Sequence, residues 1–146
     1  MPANTTLYDT DFHAWANEQA ALLRAGRLTE ADIENIAEEI ESMGRSEKRE
    51  LINRLTVLLL HLLKWRYQPA LRSRSWRNTI EQQRLHLTEH LTDNPSLKSK
   101  RDEAMASAWR HARIDAEQET GQPRAVFPLA CPFLFEQAMD PGFWPE

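Results

Sequence analysis

Cysteine occurs once and glycine four times in the 146 residues. A single thiol excludes an internal disulfide and any multi-cysteine zinc or iron–sulfur site within one chain. No Gly-rich phosphate loop and no GxSxG nucleophile elbow occurs. No run approaches the ~20 apolar residues that a membrane span requires. The N-terminal stretch MPANTTLYDTDF lacks the basic and apolar regions of a signal peptide. No segment alternates polar and apolar residues long enough to make a strand, and no repeat of 20–50 residues is visible. These absences point to a soluble, cytoplasmic, all-α protein with no membrane partner and no expected cofactor. Hydrophobic residues at 41% and charged ones at 27% are enough for a packed core. The length suits one domain over residues 1–146.

Charge is unevenly spread beneath the net value of −4. Residues 1–44 carry 2 basic and 9 acidic side chains, residues 45–86 carry 10 and 3, and residues 87–146 carry 6 and 10. The balances are −7, +7 and −4. Blocks of this kind signal either pairing between segments or an interaction surface.

Apolar spacing and punctuation divide the chain into five main helices. The first is expected over about Asp9–Ala25, stopped by Gly26. The second opens at Thr29, a capping side chain, with Asp32 three residues later; it carries Ile33, Ile36, Ala37, Ile40 and Met43 and ends or bends at Gly44. The third, Ser46 to about Tyr67, places Leu51, Ile52, Leu55, Leu58, Leu59, Leu62 and Leu63 on one arc, with Val57 and Leu60 outside it. Its breadth of apolar surface sets it at the centre of the domain, and Pro69 forbids its continuation. The fourth, about Ser75–Leu91, aligns Trp76, Ile80, Leu87 and Leu91. The fifth, Pro95–Glu119, is capped by Asn94 and bears Ala104, Ala108, Ala112 and Ala116 at four-residue intervals, a row that permits close helix packing. The rest is rich in proline and in Phe127, Phe133, Phe135, Phe143 and Trp144, with a short helix expected within 132–139. So many rings predict a segment packed on the helices rather than a loose tail.

Several of these stretches carry a family resemblance. They are Tyr8-Asp9-Thr10-Asp11-Phe12 with Trp15, then Glu38-Glu39-Ile40-Glu41-Ser42-Met43-Gly44, then His61-Leu62-Leu63-Lys64-Trp65 with Gln68-Pro69, then Ser75-Trp76 with Thr79-Ile80 and Gln83-Arg84. In that order they resemble the bacterial domain-of-unknown-function family 29. Glu119-Thr120-Gly121 and the run from Phe127-Pro128 to Cys131-Pro132 fit its C-terminal pattern. The resemblance covers nearly the whole chain. It implies a helical fold and supplies no activity and no catalytic residue.

Function must therefore be read from side chains. Residues 64–77 hold five cations, Lys64, Arg66, Arg72, Arg74 and Arg77, beside Trp65, Tyr67 and Trp76, with no acid. Cations attract phosphates, rings stack on bases, and the start of the fourth helix offers unpaired amides. The plainer alternative pairs these arginines with Glu34, Glu38, Glu39 and Glu41 of the second helix. A second group is polar: Glu38, Glu41, His61, Gln68 and Gln83. Glu50, Arg54, His61, Lys64 and Gln68 also form one stripe of the third helix, which reads equally as its solvated side. Gln83 falls on the apolar face of the fourth helix, where a buried amide needs partners. His86 and His90, four apart, are a weak metal candidate without an HExxH pattern, to be completed by carboxylates such as Glu38 or Glu117. Cys131 reads as a packed small side chain.

The leading reading is a binding module, not an enzyme, whose segment 64–77 contacts an anionic partner such as nucleic acid, nucleotide or acidic protein. One alternative is an enzyme, metal-assisted or not, using His61, Lys64 and nearby carboxylates. The other is a structural module that self-associates through Val57, Leu60 or the alanine row.

Overall fold

The computed structural model describes residues 3–146, with side chains from Leu7 onward. Six α-helices follow one another: α1 (Ala3–Thr10), α2 (Phe12–Arg24), α3 (Ile33–Tyr67), α4 (Arg74–Asp93), α5 (Arg101–Thr120) and α6 (Phe135–Met139). The described residues contain no strand, so the fold is all-α as expected. None of the described helices is long and apolar enough to cross a membrane. The chain forms two compact units, Met1–Ser46 and Glu47–Glu146.

The first unit is organised around Trp15 and Asp32. Asp11 interrupts the expected first helix: its Oδ1 accepts from the amide of Ala14 at 3.0 Å, capping α2 and separating it from α1. Tyr8 and Phe12 pack on the buried Trp15 ring at 4.7 and 5.4 Å between centroids. Gly26, at φ +72°, ends α2 in the left-handed conformation that glycine adopts without penalty. Thr29 does not cap the next helix. It lies in a 3-10 turn, Leu28–Glu30, braced by the Arg27–Glu30 ion pair. Asp32 takes the role instead, accepting from the amide of Asn35 at 3.4 Å, from Asn35 Nδ2 at 2.7 Å and from Trp15 Nε1 at 3.1 Å. Those donors, Asn35 foremost, hold its carboxyl below the usual range. Gln19 Oε1 accepts from the Asp32 amide at 2.7 Å. The Tyr8 hydroxyl donates to Glu39, which pushes its pKa up to about 12.

The expected stop at Gly44 does not occur. α3 runs unbroken for 35 residues. One exposed helical glycine costs about 1 kcal/mol. Ending a helix there strands up to eight backbone groups and requires a second costly nucleus, so continuation wins.

In the second unit α3 supplies the centre of the core. Leu51, Leu55, Leu58, Leu59, Leu62 and Leu63 are wholly inaccessible. Leu60, outside the expected arc, is also buried at 5% exposure, because neighbours cover α3 on more than one side. Ile80, Leu87 and Leu91 of α4 join them, and Trp76 is partly buried against the cluster. Ala104, Ala108, Ala112 and Ala116 are fully buried in this same core, so the alanine row and Leu60 serve internal packing rather than an open contact surface. Ser73 caps α4, its Oγ accepting from the Trp76 amide at 3.2 Å. Asn94 makes no side-chain cap: Pro95–Lys100 form a 3-10 turn before α5 begins at Arg101.

Phe127, Phe133, Phe135 and Ala138 of the C-terminal segment are buried in this core. Tyr67 meets Phe127 edge-on at 5.1 Å, and Trp109 meets Phe133 at 6.2 Å. Trp109 Nε1 donates to the carbonyls of Pro128 and Leu129 at 3.1 and 3.2 Å. The packed tail expected from its rings is present, with its helix limited to Phe135–Met139.

Candidate anion site at the turn between α3 and α4

α3 ends where Pro69 starts a short 3-10 turn, Pro69–Leu71, and Ser73 then launches α4. The reversal produces an open cleft of about 420 Å³ lined by Trp65, Arg72, Ser73, Arg74 and Arg77. Arg74 and Arg77 are exposed, and Arg72 is half-buried. Among the described residues, none of Arg66, Arg72, Arg74 and Arg77 forms an ion pair with a carboxylate. Within the first unit, Glu38 pairs with Arg45 at 3.3 Å.

Backbone carbonyls and indole faces hold the half-buried members in place. Arg72 Nε donates to the carbonyl of Trp65 at 2.7 Å, and its Nη2 to that of Pro145 at 3.3 Å. Its guanidinium lies 5.0 Å over the Trp65 ring. Trp65 in turn packs on Trp144 at 4.7 Å. Arg77 and Arg84 lie 5.7 and 5.2 Å over Trp144. Arg84 is the buried cation of the unit: Nε donates to Ala138 O at 2.8 Å, Nη2 to Phe143 O at 2.7 Å and Nη1 to Pro141 O at 3.5 Å. Sequence reasoning assigned Arg84 no role, since its acceptors are backbone groups that no residue type advertises.

The other residues of the basic segment turn elsewhere. Lys64 Nζ is 2.8 Å from Glu119 Oε1 and 4.8 Å over the Trp76 ring, so its charge is compensated. Arg66 is exposed beside Tyr67 at 5.7 Å.

Glu38 and Glu41 are exposed in the first unit, whereas His61, Gln68 and Gln83 belong to the second. His61 Nδ1 bonds the carbonyl of Val57 at 2.8 Å, one turn back on its own helix. Burial pushes its pKa down, with Lys64 adding to the effect. His61 thus turns to its own helix and Lys64 to Glu119. Gln83 Oε1 is buried with no partner, beside a polar cleft of about 480 Å³ that Arg74 also lines. His86 and His90 part company: His86 Nδ1 lies 3.6 Å from Glu89, and the buried His90 reaches Glu47 and Glu50 of α3. Cys131 is an unpaired thiol donating to Phe133 O at 3.3 Å, and burial raises its pKa.

No curated protein and no solved structure matches the chain. A family model described as domain of unknown function DUF29 matches residues 7–144, nearly the whole length, and the chain belongs to that family.

Proposed function

We propose that the protein is a small cytoplasmic binding module whose cleft at the α3–α4 turn receives a phosphate-type anion carried by its partner. The observation that carries this reading is the convergence of Arg72, Arg74 and Arg77 on one open cleft, with no carboxylate among the described residues paired to them. Arg74 and Arg77 offer forked donors suited to phosphate oxygens, and Arg72, whose Nε and Nη2 hold backbone carbonyls, adds its positive charge. The first amides of α4 add partial positive charge on the same side of the turn.

The aromatic surroundings narrow the ligand. Trp65 packs on Trp144 at a 45° tilt with Arg72 over its ring, and Lys64 lies 4.8 Å over Trp76. With cations and a second indole already packed against these rings, a phosphate group is favoured over the stacked bases of a single strand. The net charge of −4 likewise argues against general coating of nucleic acid.

Calorimetric titration with pyrophosphate at low ionic strength tests the reading. Both Arg74 and Arg77 are exposed, so Arg74→Ala with Arg77→Ala leaves the fold intact and weakens binding at least tenfold. Equal affinity in that double variant, or no binding by the unaltered protein, overturns the reading. Arg72 is unsuitable for this test because it also holds the carbonyl of Pro145.

A further inference from the structure

Glu47 and Glu50 stand three residues apart on α3, and His90 stands in the last turn of α4. One ligand atom of each lies within 4.8 Å of those of the other two. The His90 side chain is only 7% exposed, whereas the two carboxylates are open to solvent, at 50% and 47%. His90 Nε2 sits 2.8 Å from the backbone carbonyl of Glu47. A carbonyl only accepts, so the ring proton resides on Nε2. In a singly protonated ring, Nδ1 then directs its lone pair at Glu50 Oε2, 2.9 Å away. The separation suits adjacent ligands on an octahedral ion such as manganese, where two bonds of ~2.1 Å at a right angle place donor atoms about 3 Å apart; a tetrahedral zinc site needs them opened to about 3.4 Å.

We propose that Glu47, Glu50 and His90 form a binding site for a divalent transition-metal ion of the zinc or manganese class. His90 contributes Nδ1 and Glu50 its Oε2, while Glu47, whose Oε2 lies 3.7 Å from Nε2, turns its exposed carboxylate to the ion. A mixed set of one imidazole and two carboxylates suits these ions. Its two negative charges balance the ion. Donation from Nε2–H to the Glu47 carbonyl is the outer support that metal-bound histidines ordinarily have, fixing both tautomer and ring orientation. Arg54 approaches Glu50 through Oε1, at 3.8 Å, and leaves Oε2 to the site. The exposure of both carboxylates admits water to the remaining coordination positions.

The competing occupant of the gap between Nδ1 and Oε2 is a proton, and the experiment separates the two. Tag-free protein stripped with a chelator is titrated calorimetrically with Zn²⁺ and with Mn²⁺, and His90 is followed by ¹⁵N NMR. The proposal expects one ion per chain at micromolar affinity or better for at least one metal. It expects at least tenfold weakening in Glu47→Gln and in Glu50→Gln, and loss of any Nδ1 proton on loading. His90→Gln should abolish binding, but His90 is buried, so the two exposed glutamates decide the question if that variant fails to fold. Absence of stoichiometric binding overturns the site. So does unchanged affinity in both glutamine variants, or an Nδ1 proton that persists at saturating metal.

Discussion

Arg84 Nη2 donates to the carbonyl of Phe143 at 2.7 Å, tying the middle of α4 to a residue 59 positions later. With the bonds to Ala138 and Pro141, this one side chain gathers three carbonyls of the C-terminal segment. Removing it leaves buried acceptors without donors and bares one face of Trp144. Arg84→Ala should therefore cost about 3 kcal/mol, near the upper value for a hydrogen-bonded buried charge. Arg84→Lys should recover only part of that, since an ammonium cannot reproduce the planar fork. Urea midpoints of the two variants and the parent decide it.

Two glycines should respond to alanine with opposite signs. Gly44 lies inside α3, is exposed, and has nothing within 4 Å of the position a Cβ would take. Gly44→Ala should add about 0.5–1 kcal/mol of stability. Gly121 closes α5 at φ +72°. There alanine meets left-handed strain, and Gly121→Ala should lose about 1 kcal/mol. Thermal melting of the two variants reads both effects, and the same sign in each would refute the contrast.

Truncation after Gly121 removes Phe127, Phe133 and Phe135, all buried in the core of the second unit. Each well-buried ring contributes roughly 1.5–3 kcal/mol, and the loss also uncovers Trp109 and Trp65. The truncated chain should lose its cooperative near-ultraviolet melting transition. An unchanged midpoint would show that the segment is dispensable.

Stability should fall on mild acidification through His61. Burial lowers its pKa in the folded protein below the ordinary value of 6.5, so the unfolded chain binds more protons between the two values. The contribution is complete above the unfolded value and is lost as pH drops through that value toward the folded one. His61→Gln should flatten this part of the pH–stability curve. A parent curve that stays level from pH ~7 to pH ~5 would refute the assignment.

Much of the core was legible in the spacing of leucines: the six most regularly placed on α3 are all inaccessible. The aromatic content of the C-terminal segment likewise foretold its burial. Continuity through Gly44 was not legible, because residue preference describes a local cost while helix cooperativity acts over many residues. Capping at Asp32 depends on Trp15, 17 positions upstream, which a local capping rule does not see. The clustering of cations at 64–77 foreshadowed the cleft but not its internal sorting. Lys64 finds a carboxylate on α5, while Arg72 and Arg84 find main-chain oxygens, several of them in the tail. The pairing of His90 with Glu47 and Glu50 required knowing which turns of α3 and α4 face each other.

The segment that Arg84 gathers is synthesised after the long helices of the core it covers. During translation at ~5–20 residues per second, α4 and α5 emerge while the carbonyls of residues 138–143 do not yet exist. Until then the guanidinium has no acceptor from that stretch and the apolar bed of Phe133 and Phe135 is uncovered. The second unit consequently reaches its native packing only once this segment has left the ribosome, and until then the nascent form offers its apolar surface to chaperones and to aggregation.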